Sequence, residues 1–200
     1  MNKAQLKKKY GEEKIFVIPS ALGVNIPDRY TKKKHISTIF SKYDSIGRYV
    51  YRYDAEYNSD YLQIIPYFFI TNEDETLYYA CKRLKGDARL VDKMSIGFGG
   101  HIDSSDGHIN AVLKALEREM NEELEVNQKV SFRYHGTMLD LESETKEHLG
   151  LIFSIKVNEE NIKIRETENL SGLWLTKQQL YDNYGKFEGW SKFLIDDITH

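Results

Sequence analysis

Hydrophobic and polar positions follow two different rhythms along this chain. From residue 63 onward, short runs rich in aromatic and β-branched side chains are separated by polar turns, a pattern typical of strands. These runs predict five strands, at Gln63–Thr71, Thr76–Arg83, Ser95–Ile102, Val130–Asp140 and Leu149–Val157. The apolar tripeptide Leu173–Leu175 predicts one more strand.

Between the third and fourth predicted strands the apolar spacing changes to three and four residues, which predicts a helix with one face toward the core. The stripe consists of Ile109, Val112, Leu113, Leu116, Met120 and Leu124. Ser104, Ser105 or Asp106 could accept the first unpaired backbone N–H groups. The helix is therefore expected to begin between Asp106 and His108.

Two further helices are predicted near the end of the chain. Thr176 is suited to cap a helix that runs through Tyr184, and Glu188–Ile198 forms the last helix. The buried face of that last helix is expected to contain Trp190, Phe193, Leu194 and Ile198.

Residues 1–60 are less regular, apart from a strand predicted at Ile15–Pro19 that proline would end. We expect two parts: an N-terminal extension over residues 1–60, packed on or flanking the core, and a domain over residues 61–200. Helices layered on a sheet bury all these apolar faces, so the fold class is α/β with a mixed sheet.

Composition narrows the functional classes. The formal net charge is -3, with 30% charged and 40% hydrophobic residues, so there is no general basic field for nucleic acid. No apolar run reaches the roughly 20 residues of a membrane span, and the lysine-rich start lacks an apolar cleavage-type segment. A cytoplasmic protein is expected. The basic run Lys32–His35 is read as a solvated face, with a phosphate or nucleic-acid contact as the alternative.

Cys81 is the single cysteine. One thiol cannot form an internal disulfide or a cysteine-rich zinc site. Because it lies within a predicted strand, we expect a structural thiol rather than a nucleophile.

Three carboxylates and an arginine are concentrated in the segment Arg118–Glu123. Successive helix residues turn by about 100°, so Glu119, Glu122 and Glu123 fall within an arc of roughly 100°. Like charges held this close repel one another. Mg²⁺ prefers oxygen ligands and would relieve that repulsion.

Together with Gly97–Ile102 upstream, this segment resembles the signature of the Nudix hydrolase family. Three departures from that signature are visible. Gly100 lies four residues too early, which indicates a lengthened loop between Ser104 and Ile109, and Glu125 replaces the family's late glycine. Asn110 stands at the position where the family has its first glutamate. The carboxylates expected to bind metal remain in register.

Further stretches are similar to a bacterial and phage subgroup of MutT-like proteins. They are Gln63–Tyr67, Gly86–Leu90, Ser95–His101 and Phe187–Ser191. The resemblance covers roughly Tyr61 to Ile198 and implies a Nudix-type α/β/α sandwich.

The resemblance also implies a reaction: metal-dependent hydrolysis of a nucleoside diphosphate-linked substrate, for example a nucleoside triphosphate to the monophosphate. Its cofactor would be Mg²⁺, with Mn²⁺ as an alternative. The implied metal ligands are Glu119, Glu122, Glu123 and a backbone carbonyl of Gly99 or Gly100. The implied catalytic residues are Glu119, Glu122, Arg118 and Glu144, with Arg118 orienting a carboxylate.

The general base stays open between the motif, through Glu119 or Glu122, and a later loop that offers Glu142, Glu144 and Glu147. Phosphate or substrate contacts are expected from Arg83, Arg89, Gly99 and His101. His101 and His148 could equally be hydrogen-bonded structural residues. The expected ligand is a small-molecule nucleotide, and a homodimer is left open.

Two other functions compete with this one. A nucleotide-sensing or regulatory domain would keep the fold without catalysis, and the lengthened loop, Asn110 and Glu125 favour it. RNA decapping would need a basic channel, against which the acidic net charge argues.

Overall fold

The computed structural model describes residues 1–23, 29–32, 43, 45–85, 92–142, 146–165, 167–168 and 170–199. Its helices are α1 Lys3–Tyr10, α2 Arg52–Ala55, α3 Ala111–Glu123, α4 Lys177–Asp182 and α5 Gly189–Thr199. Its longer strands are β1 Lys14–Pro19, β4 Tyr61–Thr71, β5 Leu77–Arg83, β9 Arg133–Leu139, β10 His148–Lys156 and β12 Leu170–Thr176. Its shorter strands are β2 Arg29–Lys32, β3 Arg48–Tyr51, β6 Met94–Ser95, β7 Gly97–Gly99, β8 Leu124–Val126 and β11 Ile162–Ile164.

The main sheet has the strand order β12-β5-β4-β10-β9-β2. Strand β1 pairs with β3 and β4, β6 pairs with β5, and β7 pairs with β4. Strands β8 and β11 form a separate antiparallel pair. The predicted α/β class with a mixed sheet is confirmed.

The sheet is mixed because β4 and β10 run in the same direction. The N–H of Gln63, near the start of β4, donates to the C=O of Glu147, just before β10, at 2.7 Å. The N–H of Val157, just after β10, donates to Thr71, the last residue of β4, at 2.9 Å. A strand that is buried on both faces reads as a nearly continuous apolar run, and β4 is buried along almost its whole length.

The chain divides into two units. The first comprises Met1–Pro66, Gly100–Ala115 and His135–Leu151, and the second comprises Tyr67–Gly99, Leu116–Tyr134 and Ile152–His200. In the first unit, β1 pairs with β3 and with the start of β4, and Ile15, Val17 and Ala55 form a buried cluster. The expected boundary at residue 60 stays a prediction.

The core of the second unit is built largely from aromatic rings. Phe68 stacks on Phe98 with ring centroids 5.8 Å apart and meets Phe132 edge-on at 5.5 Å. Tyr79 and Trp174, which are directly opposite each other on β5 and β12, form an edge-on pair at 5.0 Å. Such pairs add roughly 0.5–1.5 kcal/mol each beyond the burial of their surface.

All five predicted strands after residue 62 are present, within a few residues of the expected ends. The third is shorter than expected, because it is split into β6 and β7 and ends at Gly99. Thr176 caps α4 as predicted, with Gln179 completing a capping box. That helix ends at Asp182 rather than Tyr184.

The predicted start of the glutamate-bearing helix α3 was wrong. Asp103 caps a short 3-10 turn at Ser104–Asp106 instead, and the α-helix begins only at Ala111. Asn110 has a positive φ of 56°, and its C=O accepts the first helical hydrogen bond, from the N–H of Lys114 at 3.0 Å. The lengthened loop therefore contains a second, separately capped turn.

The predicted apolar stripe of α3 was also partly wrong. Ile109 precedes the helix and is 78% exposed, and Leu113 is 38% exposed. The buried residues of the helix are Ala111, Val112, Ala115 and Leu116. The two alanines permit close packing on a face that the hydrophobicity pattern alone assigned to larger side chains.

The last helix, α5, differs in its buried face. Leu194 is buried as expected, but Trp190, Phe193 and Ile198 are only half-buried, and Ser191 and Ile195 are buried. Among the described residues, no helix is long and apolar enough to cross a membrane.

Candidate active site

The buried stripe of α3 continues into its glutamates. Ala115 and Leu116 are completely buried, and Glu119 follows them at helical spacings of four and three. The Glu119 side chain is only 12% exposed, whereas that of Glu122 is 58% exposed. The helix therefore directs one carboxylate into the protein and keeps another at the surface.

Arg118 offsets part of the repulsion among these carboxylates. Its Nη1 lies 2.7 Å from Glu119 Oε1 and 3.6 Å from Glu122 Oε1. The motif therefore contains its own positive charge, in addition to any metal ion that it binds. The expected orienting role of Arg118 stays a prediction, and this contact supports it.

The third glutamate, Glu123, ends the helix without a glycine cap. The backbone N–H of Arg165 donates to the C=O of Glu123 at 2.9 Å, and Arg165 Nε donates to the C=O of Leu124 at 2.8 Å. A cation that donates to the last carbonyls also interacts favourably with the helix dipole. Arg165 therefore takes the place of the C-terminal glycine cap, which is missing because Glu125 occupies the position of the family's glycine.

Glu123 also acts on Cys81 in β5. Burial raises the pKa of the Cys81 thiol to about 11, and the negative charges of Glu123 and Glu188 add to this. A thiol with this pKa is protonated at neutral pH and is a poor nucleophile. The expectation of a structural thiol is supported.

Glu188 is a further candidate residue of the site, and it was not among the site residues predicted from the sequence. Its backbone N–H donates to the C=O of Met94 at 2.9 Å, which holds it beside β6. Its negative charge and that of Glu123 both raise the pKa of the Cys81 thiol. The only sequence signal was its position in the segment Phe187–Ser191.

Arg83, also in β5, is the predicted phosphate contact that the structure describes most fully. It pairs with Leu170 across the sheet, and its charge lowers the pKa of Cys81, against the effect of burial. Among the described residues its Nε is buried without a hydrogen-bond partner. A buried donor left unpaired costs about 1–3 kcal/mol, so this atom suits an anionic oxygen.

The glycine segment, which is the β7 strand Gly97–Gly99, pairs with Tyr67 and its neighbours in β4. Gly99 pairs with Tyr67 across β7 and β4 and has a φ of 146°, which favours glycine. The Tyr67 hydroxyl lies 3.3 Å from Ser95 Oγ, and Ser95 Oγ lies 3.1 Å from Ser191 Oγ. Burial raises the pKa of Tyr67 to about 12, so its hydroxyl remains a neutral part of this network.

In the first unit, His101 lies against Gln63. His101 Nε2 is 2.6 Å from Gln63 Oε1, and His148 Nε2 is 3.1 Å from the same oxygen. Of the later-loop carboxylates, Glu142 is exposed and Glu147 is 7% exposed. Arg89 and Glu144 lie outside the described residues.

No three acidic, histidine or cysteine side chains are grouped to hold a metal within the described part of the chain. The assignment of Glu119, Glu122, Glu123 and Gly100 as ligands therefore stays a prediction. A cavity of about 680 Å³ in the second unit is lined by Tyr79, Trp174 and Lys163 among others. None of the predicted site residues lines it.

Comparison with known proteins identifies the family. No family model matches the chain. Protein YmaB of Bacillus subtilis (strain 168) is 31% identical over 176 residues, which cover 84% of this chain and 85% of that protein. This level of identity over most of both chains places them in one family.

Two solved structures resemble the fold. The crystal structure of Tm1382, a protein assigned to the Nudix hydrolases, matches with a TM-score of 0.79 and 26% identity, covering 94% of this chain and 98% of that one. DR0079 from Deinococcus radiodurans matches with a TM-score of 0.52 and 16% identity, covering 69% and 83%. The second likeness concerns the fold alone. The chain belongs to the family of YmaB and, with Tm1382, to the Nudix hydrolases, which hydrolyse acid anhydrides.

Proposed function

We propose that this protein hydrolyses a nucleoside diphosphate-linked small molecule by cleaving a P–O–P bond with water, in a reaction that depends on Mg²⁺. The observation that carries the proposal is the last turn of α3. There Glu119 is nearly buried, and Arg118 contacts both Glu119 and Glu122. A structural surface helix gains little from such an arrangement.

The donor set suits a hard divalent cation, because all its members are oxygen donors. Glu119, Glu122 and Glu123 would hold the ion, with the carbonyl of Gly99 or Gly100 as a further ligand. When bound, Mg²⁺ or Mn²⁺ would acidify water and offset the charge on phosphate oxygens.

The chain's own residues supply the rest of the chemistry. Arg118 orients Glu119 through their 2.7 Å contact, so the carboxylate keeps one direction. Arg83 is suited to pair with a phosphate oxygen through its buried Nε. The general base is one of the motif glutamates, Glu119 or Glu122, or Glu144 of the later loop.

Further parts of the proposal concern the setting of the protein. We propose a cytoplasmic location and a nucleotide as substrate. We also propose that residues 1–60 extend the hydrolase domain, and the pairing of β1 with β4 supports this.

Substitution of the glutamates tests the proposal. Glu123→Gln removes one negative oxygen donor while keeping the side-chain shape, and should lower kcat/KM by about 100-fold or more. Glu117→Gln is the matched control, because Glu117 is exposed on the same helix. Both variants are assayed with Mg²⁺ on nucleoside triphosphates, ADP-ribose and dinucleotides, and circular dichroism verifies folding. EDTA should abolish release of monophosphate.

Equal activity of Glu123→Gln and Glu117→Gln would contradict the proposal. A nucleotide-sensing role is the second candidate, because Arg118 already compensates two of the carboxylates. Binding of a nucleotide by calorimetry, with no turnover under Mg²⁺ or Mn²⁺, would select that role.

A further inference from the structure

The first unit contains a polar cluster that includes His101, one of the predicted substrate contacts. At its centre is Gln63, which is 1% exposed in β4 between the buried Leu62 and Ile64. Burying an amide is unfavourable unless its polar atoms are paired. The contacts of this amide therefore show what the position requires.

The orientation of the Gln63 amide follows from Ala55. Gln63 Nε2 lies 3.3 Å from the backbone C=O of Ala55, and a carbonyl oxygen can only accept a hydrogen bond. The NH₂ end therefore faces Ala55. The carbonyl end, Oε1, faces the two histidines at 2.6 and 3.1 Å.

This orientation fixes the protonation of both rings. Because Oε1 can only accept, the Nε2 atoms of His101 and His148 must both donate. In the neutral state each ring then carries its proton on Nε2. The rings meet edge-on with centroids 5.2 Å apart.

Three charged residues act on His148 in this cluster and change its pKa. Burial lowers the pKa of His148, whereas Glu56 and Glu147 act in the opposite direction and Arg52 adds to the lowering. Glu56 and Arg52 belong to a network of their own, with Tyr10 Oη 2.9 Å from Glu56 Oε1 and Arg52 Nη1 2.9 Å from Glu13 Oε1.

The position of His101 in the sequence places this cluster directly after the glycine turn. His101 directly follows Gly99 and Gly100, and the C=O of Ile102 accepts from the N–H of Phe16 in β1 at 2.8 Å. The backbone that follows the glycine turn is thus hydrogen-bonded to β1 at Ile102, and the His101 ring is hydrogen-bonded to Gln63.

We propose that Gln63 is a positioning residue, whose side-chain carbonyl holds His101 and His148 as Nε2–H tautomers and so fixes the segment that follows the glycine turn. The inference rests on the proposed function, in which Gly100 binds metal and His101 contacts substrate. Residues that orient such ligands typically contribute about 10–100-fold in activity.

The tautomers can be measured without any assay of activity. Nitrogen-15 NMR of the labelled wild-type protein, at a pH where the rings are neutral, should show protonated Nε2 and unprotonated Nδ1 for both His101 and His148. The spectra of His101→Gln and His148→Gln assign the signals. A protonated Nδ1 on either neutral ring would overturn the proposal.

Two variants of Gln63 separate positioning from simple packing. Gln63→Leu removes the acceptor and should lower kcat about 10–100-fold with a smaller change in KM. Gln63→Glu, held as the neutral acid by its burial, keeps a carbonyl acceptor for both rings and an O–H donor for the Ala55 carbonyl. It should therefore retain the Nε2–H tautomers and most of the activity. The control is Thr137→Val, another fully buried polar position of the first unit, which should leave both tautomers and kcat unchanged.

The outcomes distinguish this inference from the proposed function. If the wild type is active and Gln63→Leu matches it in kcat and KM, the inference fails and the function stands. If the wild type hydrolyses none of the nucleotides, the function fails and the NMR still decides the tautomers. If Gln63→Leu does not fold, Gln63→Glu decides, because loss of its Nε2–H signals would contradict the proposal.

Discussion

Replacing Gly97 with alanine tests how the glycine segment is supported. A Cβ at this position would lie 2.0 Å from Tyr67 Cζ, 2.1 Å from Cε1 and 2.2 Å from the hydroxyl oxygen. Favourable carbon contacts are about 3.5–4.0 Å, so the ring or the strand would have to move by roughly 1.5 Å. Tyr67 cannot move easily, because it contacts Ser95 at 3.3 Å and the Trp190 ring edge-on at 5.4 Å.

The magnitude follows from these contacts. Inserting a methyl group into a filled core costs about 1–3 kcal/mol, and disturbing the Tyr67 hydrogen bond adds about 1 kcal/mol. We expect Gly97→Ala to lower the free energy of unfolding by about 3 kcal/mol. For a chain of this size that corresponds to a fall in Tm of about 6–12 °C.

Urea denaturation and thermal melting measure the effect. Gly185→Ala is the control, since a Cβ there meets nothing within 4 Å, and it should change stability by less than about 0.5 kcal/mol. Gly97→Ala should cost much less when Tyr67 is already leucine, because the clashing ring is gone. A Gly97→Ala protein as stable as the wild type, or an equal cost in both backgrounds, would refute the steric argument.

Three further predictions concern buried polar groups. Ser191→Ala should lower the free energy of unfolding by about 1–3 kcal/mol in urea denaturation, because the Ile96 N–H loses its acceptor at 3.1 Å; an unchanged midpoint would contradict this. Thr137→Val should be neutral or stabilising by the same measurement, since the hydroxyl is buried with no hydrogen-bond partner among the described residues; a loss above about 1 kcal/mol would argue against it. The pKa of Cys81 is raised from 9.0 to about 11, so the unfolded state loses its proton first, and stability should fall as pH rises from 9 to 11. Cys81→Ala should show a shallower fall in pH-dependent denaturation, by up to about 3 kcal/mol across that interval, and identical slopes would refute the assignment.

The strands were predictable because their signal is local. Aromatic and β-branched runs such as Gln63–Thr71 favour strand wherever they lie, and the expected bounds agree with β4 and β10 to within two residues. In residues 1–60, by contrast, only β1 was predicted. Strand β3 pairs with β1, and its four residues are too few to be recognised as a strand without that partner.

The helix start failed for a different reason. Asp103 caps a 3-10 turn, and the α-helix starts only after Asn110, which has a positive φ; composition marks neither feature. Ile109 is exposed because it precedes the first helical turn, whereas Ala111 and Ala115 share a face with the predicted Val112 and Leu116 and are buried with them.

The glutamates of the proposed site were predicted from their spacing in the sequence, whereas the residues that hold the surrounding backbone and side chains in place were not. Arg165 contacts the end of α3 from forty-one residues away, and Gln63 reaches His148 across eighty-five. Such contacts are set by the fold and leave no periodic trace in the sequence. The nearest signal for Gln63 was a polar residue in an otherwise apolar strand, which indicates a partner without naming it.

The parallel pairing of β4 with β10 has a consequence for how the protein is made. Gln63 and His148, at corresponding ends of these strands, are separated by eighty-five residues, so β4 emerges from the ribosome long before its neighbour exists. Closing so long a segment is entropically costly and slows folding. Meanwhile the apolar edge of β4 is open to other chains, and we expect refolding yield to fall as protein concentration rises.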